Sequence, residues 1–324
     1  MSKIETFQHL VQNKISELNF EKSPPELYQP MKYALTMGGK RIRPLFVLLG
    51  CDMFGGNTER SIPAALAIEV FHNFTLVHDD IMDVAPLRRG MDTVYKKWDQ
   101  NVAILSGDAM LAKAFELLMD SEEKHIKPLV QLLSRVAIEV CEGQQLDMNF
   151  ERMDNVSIPE YLNMIRLKTA VLTASALQAG AIVANAGEKD QQEIYSFGEN
   201  LGVAFQIKDD ILDVYGDEDK FGKKKGNDII TRKKTYLYLT AHVLAKGRTL
   251  TSLKKYFSDA EVDEDTRVKE VTGIYDMLRL KEIAESKMSF YYNNALQNLE
   301  NINIPAEKKT DLLDIAERLM VREY

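Results

Sequence analysis

Apolar residues recur at three- and four-residue intervals along almost the whole 324-residue chain, and no alternating run long enough for a strand interrupts them. The stretches "IETFQHLVQNKISEL", "SIPAALAIEVFHNFTLVHDDIMD", "QNVAILSGDAMLAKAFELLMD" and "KPLVQLLSRVAIEVCEGQQLD" read as helices. So do "QQEIYSFGENLGVAFQIKDDILDVYG" and "KEIAESKMSFYYNNALQNL". Helices with apolar stripes bury them against one another, so the predicted fold class is all-α, a bundle of about ten or more helices. Breakers separate the periodic segments at Pro24-Pro25, Gly38-Gly39, Gly55-Gly56, Gly90, Ser157 to Pro159 and Gly216 to Gly226. Ser157 is placed to cap the helix that follows it. None of these breaks reads as an interdomain linker, so a single domain over residues 1–324 is expected.

Composition excludes several function classes. A 45% apolar fraction supports a large core, and a net charge of −8 argues against a broad nucleic-acid surface. Cys51 and Cys141 are too few and too far apart for a disulfide framework, and no Cys/His spacing fits zinc. The N-terminal "MSKIETFQHLVQNKI" lacks the apolar core of a signal peptide. Thr169 to Gly187 carries no charge, but it is rich in Ala and includes Gln178, Gly180 and Asn185. That composition fits a closely packed core helix rather than a membrane span. A cytoplasmic chain with no transmembrane segment is expected.

Two acidic phrases, "HDDIMDVAP" and "KDDILDVYG", are nearly identical and lie about 130 residues apart. Asp79, Asp80 and Asp83 fall at i, i+1 and i+4, and Asp209, Asp210 and Asp213 repeat that spacing. Gln206 extends the second stripe at i, i+4 and i+7 with Asp210 and Asp213. Either cluster alone fits an acid-rich, solvated helix end. Like charges one turn apart destabilise a helix, however. Their repetition among apolar residues such as Val203, Ile207, Ile211 and Val214 points to a cavity or a cation. Carboxylate oxygens are hard ligands that suit Mg²⁺, whose remaining positions are filled by water and phosphate oxygens. The implied ligand is a polyphosphate. A calcium loop over Asp217, Asp219, Gly222 and Asp228 is rejected, because Phe221 and Asp228 stand at its fifth and twelfth positions.

Cations answer the acids. "MGGKRIRP" offers Lys40, Arg41 and Arg43 at a helix start, where anions are favoured, and Arg88 and Arg89 follow the first acidic phrase. Lys168 with Thr169, then Lys223, Lys224, Lys225, Arg232, Lys233 and Lys234, come later. Two cation groups beside a divided set of metal ligands imply two anionic substrates, one bound through metal and one through Lys and Arg. No Ser-His-Asp, Cys-His, dinucleotide-binding or P-loop arrangement competes.

On these residues the chain resembles the trans-isoprenyl diphosphate synthases, the polyprenyl synthetase family. The matching motifs are "GGKRIRP", "DDIMD" with "RRG", "KTA" at Lys168 to Ala170, and "FQIKDDILD" followed by "FGK" and "GNDI", in family order. The resemblance implies an all-α homodimer with a central cavity, across which the two aspartate motifs bind three Mg²⁺. It assigns Asp79, Asp83 and Asp209 as principal metal ligands, with Asp80, Asp210 and Asp213 supporting. It implies that Lys40, Arg43, His72 and Arg89 hold isopentenyl diphosphate. Arg88, Lys168, Thr169, Gln206, Lys223 and Lys233 would hold an allylic diphosphate. Lys224, Lys225 or Lys234 can stand in for the two loop lysines, because the loop is two residues longer than in eukaryotic short-chain members. Nothing in the helical pattern singles out His72; only the resemblance does. The implied catalytic set is Asp79, Asp83, Asp209, Lys168 and Arg88, and the implied reaction is head-to-tail prenyl transfer.

Product length is expected to depend on Phe74 and Thr75, five and four positions before Asp79. A large ring at Phe74 should stop the growing tail, and a small Thr75 beside it resembles the archaeal-type C20 synthases. Geranylgeranyl diphosphate is therefore the expected product, with farnesyl or C25–C40 diphosphates as alternatives. A class I terpene cyclase would need only one diphosphate site. A non-catalytic synthase subunit would tend to lose aspartates, and all six are present here.

Overall fold

The periodic segments are helices in the structure, a computed structural model that describes residues 2–216, 225–259 and 261–321. In chain order they begin with α1 (Lys3–Ser16), α2 (Pro25–Thr36), α3 (Ile42–Met53), α4 (Ile62–Met82), α5 (Val94–Lys97) and α6 (Gln100–Leu118). α7 (Glu123–Arg152), α8 (Ile158–Ile165), α9 (Val171–Val183) and α10 (Glu188–Tyr215) follow, and further helices occupy Tyr236–Leu244, Gly247–Ser258, Glu264–Met277, Leu280–Asn301 and Thr310–Val321. More than ten helices are thus present among the described residues, as the periodicity requires. None of them is long and apolar enough to cross a membrane.

Local chemistry sets several ends. Ser2 and Glu5 form a reciprocal capping box on α1, and Ser157 and Glu160 form another on α8. The only strands among the described residues are two two-residue pieces, Leu87–Arg88 and Met91–Asp92, paired antiparallel. Arg89 (φ 53°) and Gly90 (φ 77°) close them with the left-handed pair that a two-residue hairpin needs. This hairpin is too short to leave any alternation in the sequence.

The chain groups into two units. One comprises Met1–Ile138, Leu172–Tyr195 and Ile302–Leu312, and the other Glu139–Val171, Ser196–Asn301 and Leu313–Tyr324. In the first, α4 packs most extensively on α6, and α3 is buried along nearly its whole length. The Ala-rich segment is a core helix there, with backbone close to backbone. A Cβ on Gly180 would lie 2.1 Å from Val47 O, and one on Gly50 would lie 2.5 Å from Leu177 O. The second unit has its own core, which includes Tyr161, Ile207, Ile211, Leu237, Phe257 and Tyr275. Tyr238 and Phe257 stack in it with centroids 3.7 Å apart.

Candidate active site

The end of α4 carries the first acidic set. Asp79 lies in the last turn, Asp80 is buried, and exposed Asp83 is the cap residue, its N–H donating to Asp79 O at 2.8 Å. The hairpin after it returns Arg88 to the helix. Arg88 donates from Nε (2.8 Å) and Nη2 (2.7 Å) to Asp80 Oδ1, and Nη2 lies 3.7 Å from Asp79 Oδ2. Burial raises the Asp80 carboxyl above the usual carboxylate range, against the opposing pull of Arg88.

The basic residues of the first unit sort into two kinds. Arg41 is buried and pairs with buried Glu69, its other terminal nitrogen donating to Leu35 O. It is thus a structural cation, not the ligand-facing group that its place in "GGKRIRP" implies. Arg43 lies two residues on, with Nη1 3.2 Å from His72 Nε2. Because a guanidinium only donates, Nε2 accepts and the ring proton sits on Nδ1. Burial, then Arg43, Arg89, Arg88 and Arg41, hold the His72 pKa well below the usual imidazole range, so the ring is neutral. Arg89 donates to Gly38 O, and its guanidinium lies against Gly39, where a Cβ would stand 2.7 Å from Nη1. The glycine pair (φ 82° and 125°) lets the loop pass beside that arginine. Lys40 is exposed on the same loop. Arginines gathered around a neutral imidazole have the chemistry to accept an anion.

The second unit contains a cavity of about 220 Å³. Eight of the residues singled out in the sequence as phosphate or metal ligands line it: Lys168, Thr169, Gln206, Asp209, Asp210, Asp213, Lys233 and Lys234. α10 supplies the acids. Asp210 is buried, and its Oδ2 accepts from Tyr161 Oη at 2.5 Å and from the Tyr236 N–H at 3.2 Å. Burial, then nearby Asp228, raise its carboxyl well above the usual range, while the bonds from Tyr161, Tyr236 and Gln206 oppose that shift. Asp213 Oδ2 accepts from the Asp228 N–H at 3.0 Å.

Lys168 and Thr169 sit on a π-helical turn, Arg166–Ala170, between α8 and α9. The wide turn admits an extra residue, a distortion common at functional sites, and both side chains line the cavity. Two glycines make room for it. A Cβ on Gly143 of α7 would lie 2.3 Å from Lys168 N, and one on Gly202 of α10 would lie 2.7 Å from Ala170 Cα. Lys168 Nζ bonds Asp147 Oδ2 at 2.5 Å, and Thr169 Oγ1 donates to Gln206 Oε1 at 3.3 Å. Lys233 lines the cavity. Lys234 lines it too, and its Nζ donates to the carbonyls of Phe150 (2.6 Å) and Glu151 (3.2 Å); burial lowers its pKa.

Asp147, Tyr161 and Asp228 join the site without having been selected from the sequence as phosphate or metal ligands. "GQQLD" held one signal, a Gly and an Asp four residues apart on one helix face. Tyr161 had none, since it reads as an ordinary apolar-face residue of α8. Lys223 and Lys224, like Asp217, Asp219 and Gly222, lie outside the described residues. Phe74 is buried on α4 beside Phe71 (centroids 5.5 Å), and Thr75 is partly buried, its hydroxyl donating to His72 O at 2.8 Å.

Among the described residues no three His, Cys, Asp or Glu side chains are arranged to hold a metal by themselves. Mg²⁺ takes one or two carboxylates and completes its shell with water and phosphate oxygens, so the carboxylates of each aspartate motif are chemically suited to hold it.

Known proteins resemble this chain in sequence and fold along most of its length. A family model described as polyprenyl synthetase matches residues 24–275. A geranylgeranyl diphosphate synthase of Methanosarcina mazei is 37% identical over 313 residues, 96% of this chain and 94% of its own length. A geranylfarnesyl diphosphate synthase of Natronomonas pharaonis is 34% identical over 339 residues, 98% of this chain and 96% of its own. The crystal structure of a geranylgeranyl pyrophosphate synthase superposes with a TM-score of 0.92 at 44% identity, covering 100% of both chains.

Proposed function

Because the chain belongs to the polyprenyl synthetase family, and so condenses isopentenyl diphosphate head-to-tail with an allylic diphosphate, we propose that it stops at geranylgeranyl diphosphate. In this reading Lys168, Thr169, Gln206 and Lys233 bind the allylic diphosphate, with Arg88 contributing from the hairpin. Lys40, Arg43, His72 and Arg89 bind isopentenyl diphosphate. Asp79, Asp83 and Asp209 hold magnesium, with Asp80, Asp210 and Asp213 orienting them. Magnesium, when bound, draws charge onto the leaving diphosphate.

The residues of the chain do the rest. Lys168 and Arg88 stabilise the negative charge that develops as the allylic carbon–oxygen bond breaks. The double bond of isopentenyl diphosphate then adds to the allylic cation. A proton leaves the new carbon skeleton for the departing diphosphate, which restores a double bond. No protein nucleophile is required. His72, neutral beside Arg43, supports the second diphosphate by hydrogen bonding rather than by charge. Apolar side chains keep water from the cation.

The observation that carries the C20 reading is Phe74, buried five residues before Asp79 with Thr75 beside it. The test is incubation with Mg²⁺, isopentenyl diphosphate and C5, C10 or C15 allylic diphosphates, with products separated by chain length. A C20 end product from each starter is expected, and Phe74→Ala should lengthen it. A C25 end product, the chemistry named for the Natronomonas relative, would overturn the reading. Asp79→Ala and Asp209→Ala should each lower turnover by about two orders of magnitude or more while leaving the far-ultraviolet spectrum unchanged.

A further inference from the structure

The ring of Phe74 is held by a neighbour, and that neighbour is held by another helix. Phe71, Phe74 and His78 follow one another at i, i+3 and i+7 on α4, so they form one stripe. The imidazole of His78 meets the Phe74 ring with centroids 4.8 Å apart and planes at 68°, an edge-to-face contact. On its other side the imidazole reaches α6. His78 Nε2 lies 3.1 Å from Ile104 O, and because a carbonyl only accepts, Nε2 carries the proton. Next to that bond is Gly107. A Cβ there would stand 2.2 Å from Nε2 and 2.5 Å from Cδ2 of His78. The seat for the imidazole therefore exists only because residue 107 has no side chain.

We propose that Gly107 and His78 are specificity-determining residues for product length: Gly107 seats the imidazole, and the seated imidazole fixes the Phe74 ring that stops the growing tail. This rests on the reading of Phe74 as the floor. An unsupported phenyl ring can swing about its side-chain torsions and yield to one more isoprene unit. A ring braced edge-on by a histidine bonded to a second helix yields only if the Nε2–H···O bond breaks. His78, adjacent to Asp79, therefore acts here as a positioning residue, through Phe74. Gly107 acts from a helix that bears none of the six motif aspartates.

The experiment compares end products of the unmodified enzyme, Phe74→Ala, His78→Ala, His78→Asn, Gly107→Ala and the His78→Ala/Gly107→Ala double variant. All are given a C15 allylic diphosphate, isopentenyl diphosphate and Mg²⁺, with folding checked by circular dichroism. Gly107→Ala displaces the imidazole, and His78→Ala removes it. Each should raise the ratio of C25-and-longer products to C20 by about tenfold, the discrimination that a methylene-sized change in a pocket commands. His78→Asn keeps a donor but loses the ring edge, and should behave like His78→Ala. In the double variant the added methyl has no imidazole to strike, so its products should match those of His78→Ala alone. Unchanged products from Gly107→Ala and His78→Asn, alongside a longer product from Phe74→Ala, would overturn the brace and leave the floor standing. Additive lengthening in the double variant would also overturn it. An unchanged product from Phe74→Ala would remove the floor itself.

Discussion

Glu69→Ala should be among the most damaging single changes in the first unit. Arg41 is 7% exposed and Glu69 is 2% exposed. The guanidinium reaches Glu69 Oε1 and Leu35 O, and Asn73 Nδ2 donates at 2.9 Å to the same carboxylate oxygen. Removing the carboxylate leaves a buried guanidinium with its charge unopposed, which costs about 3–5 kcal/mol. Losing the acceptor for Asn73 adds about 1 kcal/mol. The expected total is about 4–6 kcal/mol, much of the ~5–15 kcal/mol that stabilises a typical fold. Replacing both partners, Arg41→Met with Glu69→Leu, removes the charges together and should return stability to within about 1–2 kcal/mol of the parent. Urea midpoints followed by circular dichroism, at constant m, measure both. A single variant that loses less than about 1.5 kcal/mol, or a double variant as unstable as the single, would refute the reasoning.

Further outcomes follow from the same contacts. Tyr161→Phe removes the hydroxyl bonded to Asp210 and should cost about 1.5–3 kcal/mol and raise the magnesium needed for half-maximal rate; a thermal melt and a metal titration that both stay unchanged would contradict this. Burial and the surrounding arginines hold the His72 pKa below the free value of 6.5, so the unfolded chain binds a proton that the folded one refuses. Stability from this group is complete above about pH 6.5 and falls below it by up to ~1.4 kcal/mol per pH unit; His72→Gln should flatten the urea midpoint between about pH 5 and 6.5, and an unaltered slope counts against it. Gly143→Ala forces a methyl against Lys168 N and should raise KM for the allylic substrate by about tenfold or more, leaving KM for isopentenyl diphosphate unchanged; equal changes in both would mean that the π turn is not what moved.

How much of the site was legible depends on how far apart its partners lie. The helices, the paired acidic phrases and the basic segments answering them were all visible, because each is a pattern within one or two turns. The same motif, however, contains Arg41 and Arg43, which have different fates. One is paired inside the first unit with Glu69, 28 residues away, and the other stands at His72, 29 residues away. No local pattern separates them. Asp147 meets Lys168 across 21 residues, and Tyr161 meets Asp210 across 49. The π turn is equally silent, since its cause is the space left by Gly143 and Gly202 on other helices.

By itself, then, the order of amino acids determined an all-α chain bearing six aspartates and opposed cations. Side-chain period and like-charge spacing are properties of a single helix and need no partner to be read. The tertiary structure alone decided which cations are internal, which tautomers His72 and His78 adopt, how Lys168 and Thr169 reach one cavity together, and what braces Phe74. Those outcomes depend on burial and on contact between residues distant in the chain, and both arise only when the helices pack.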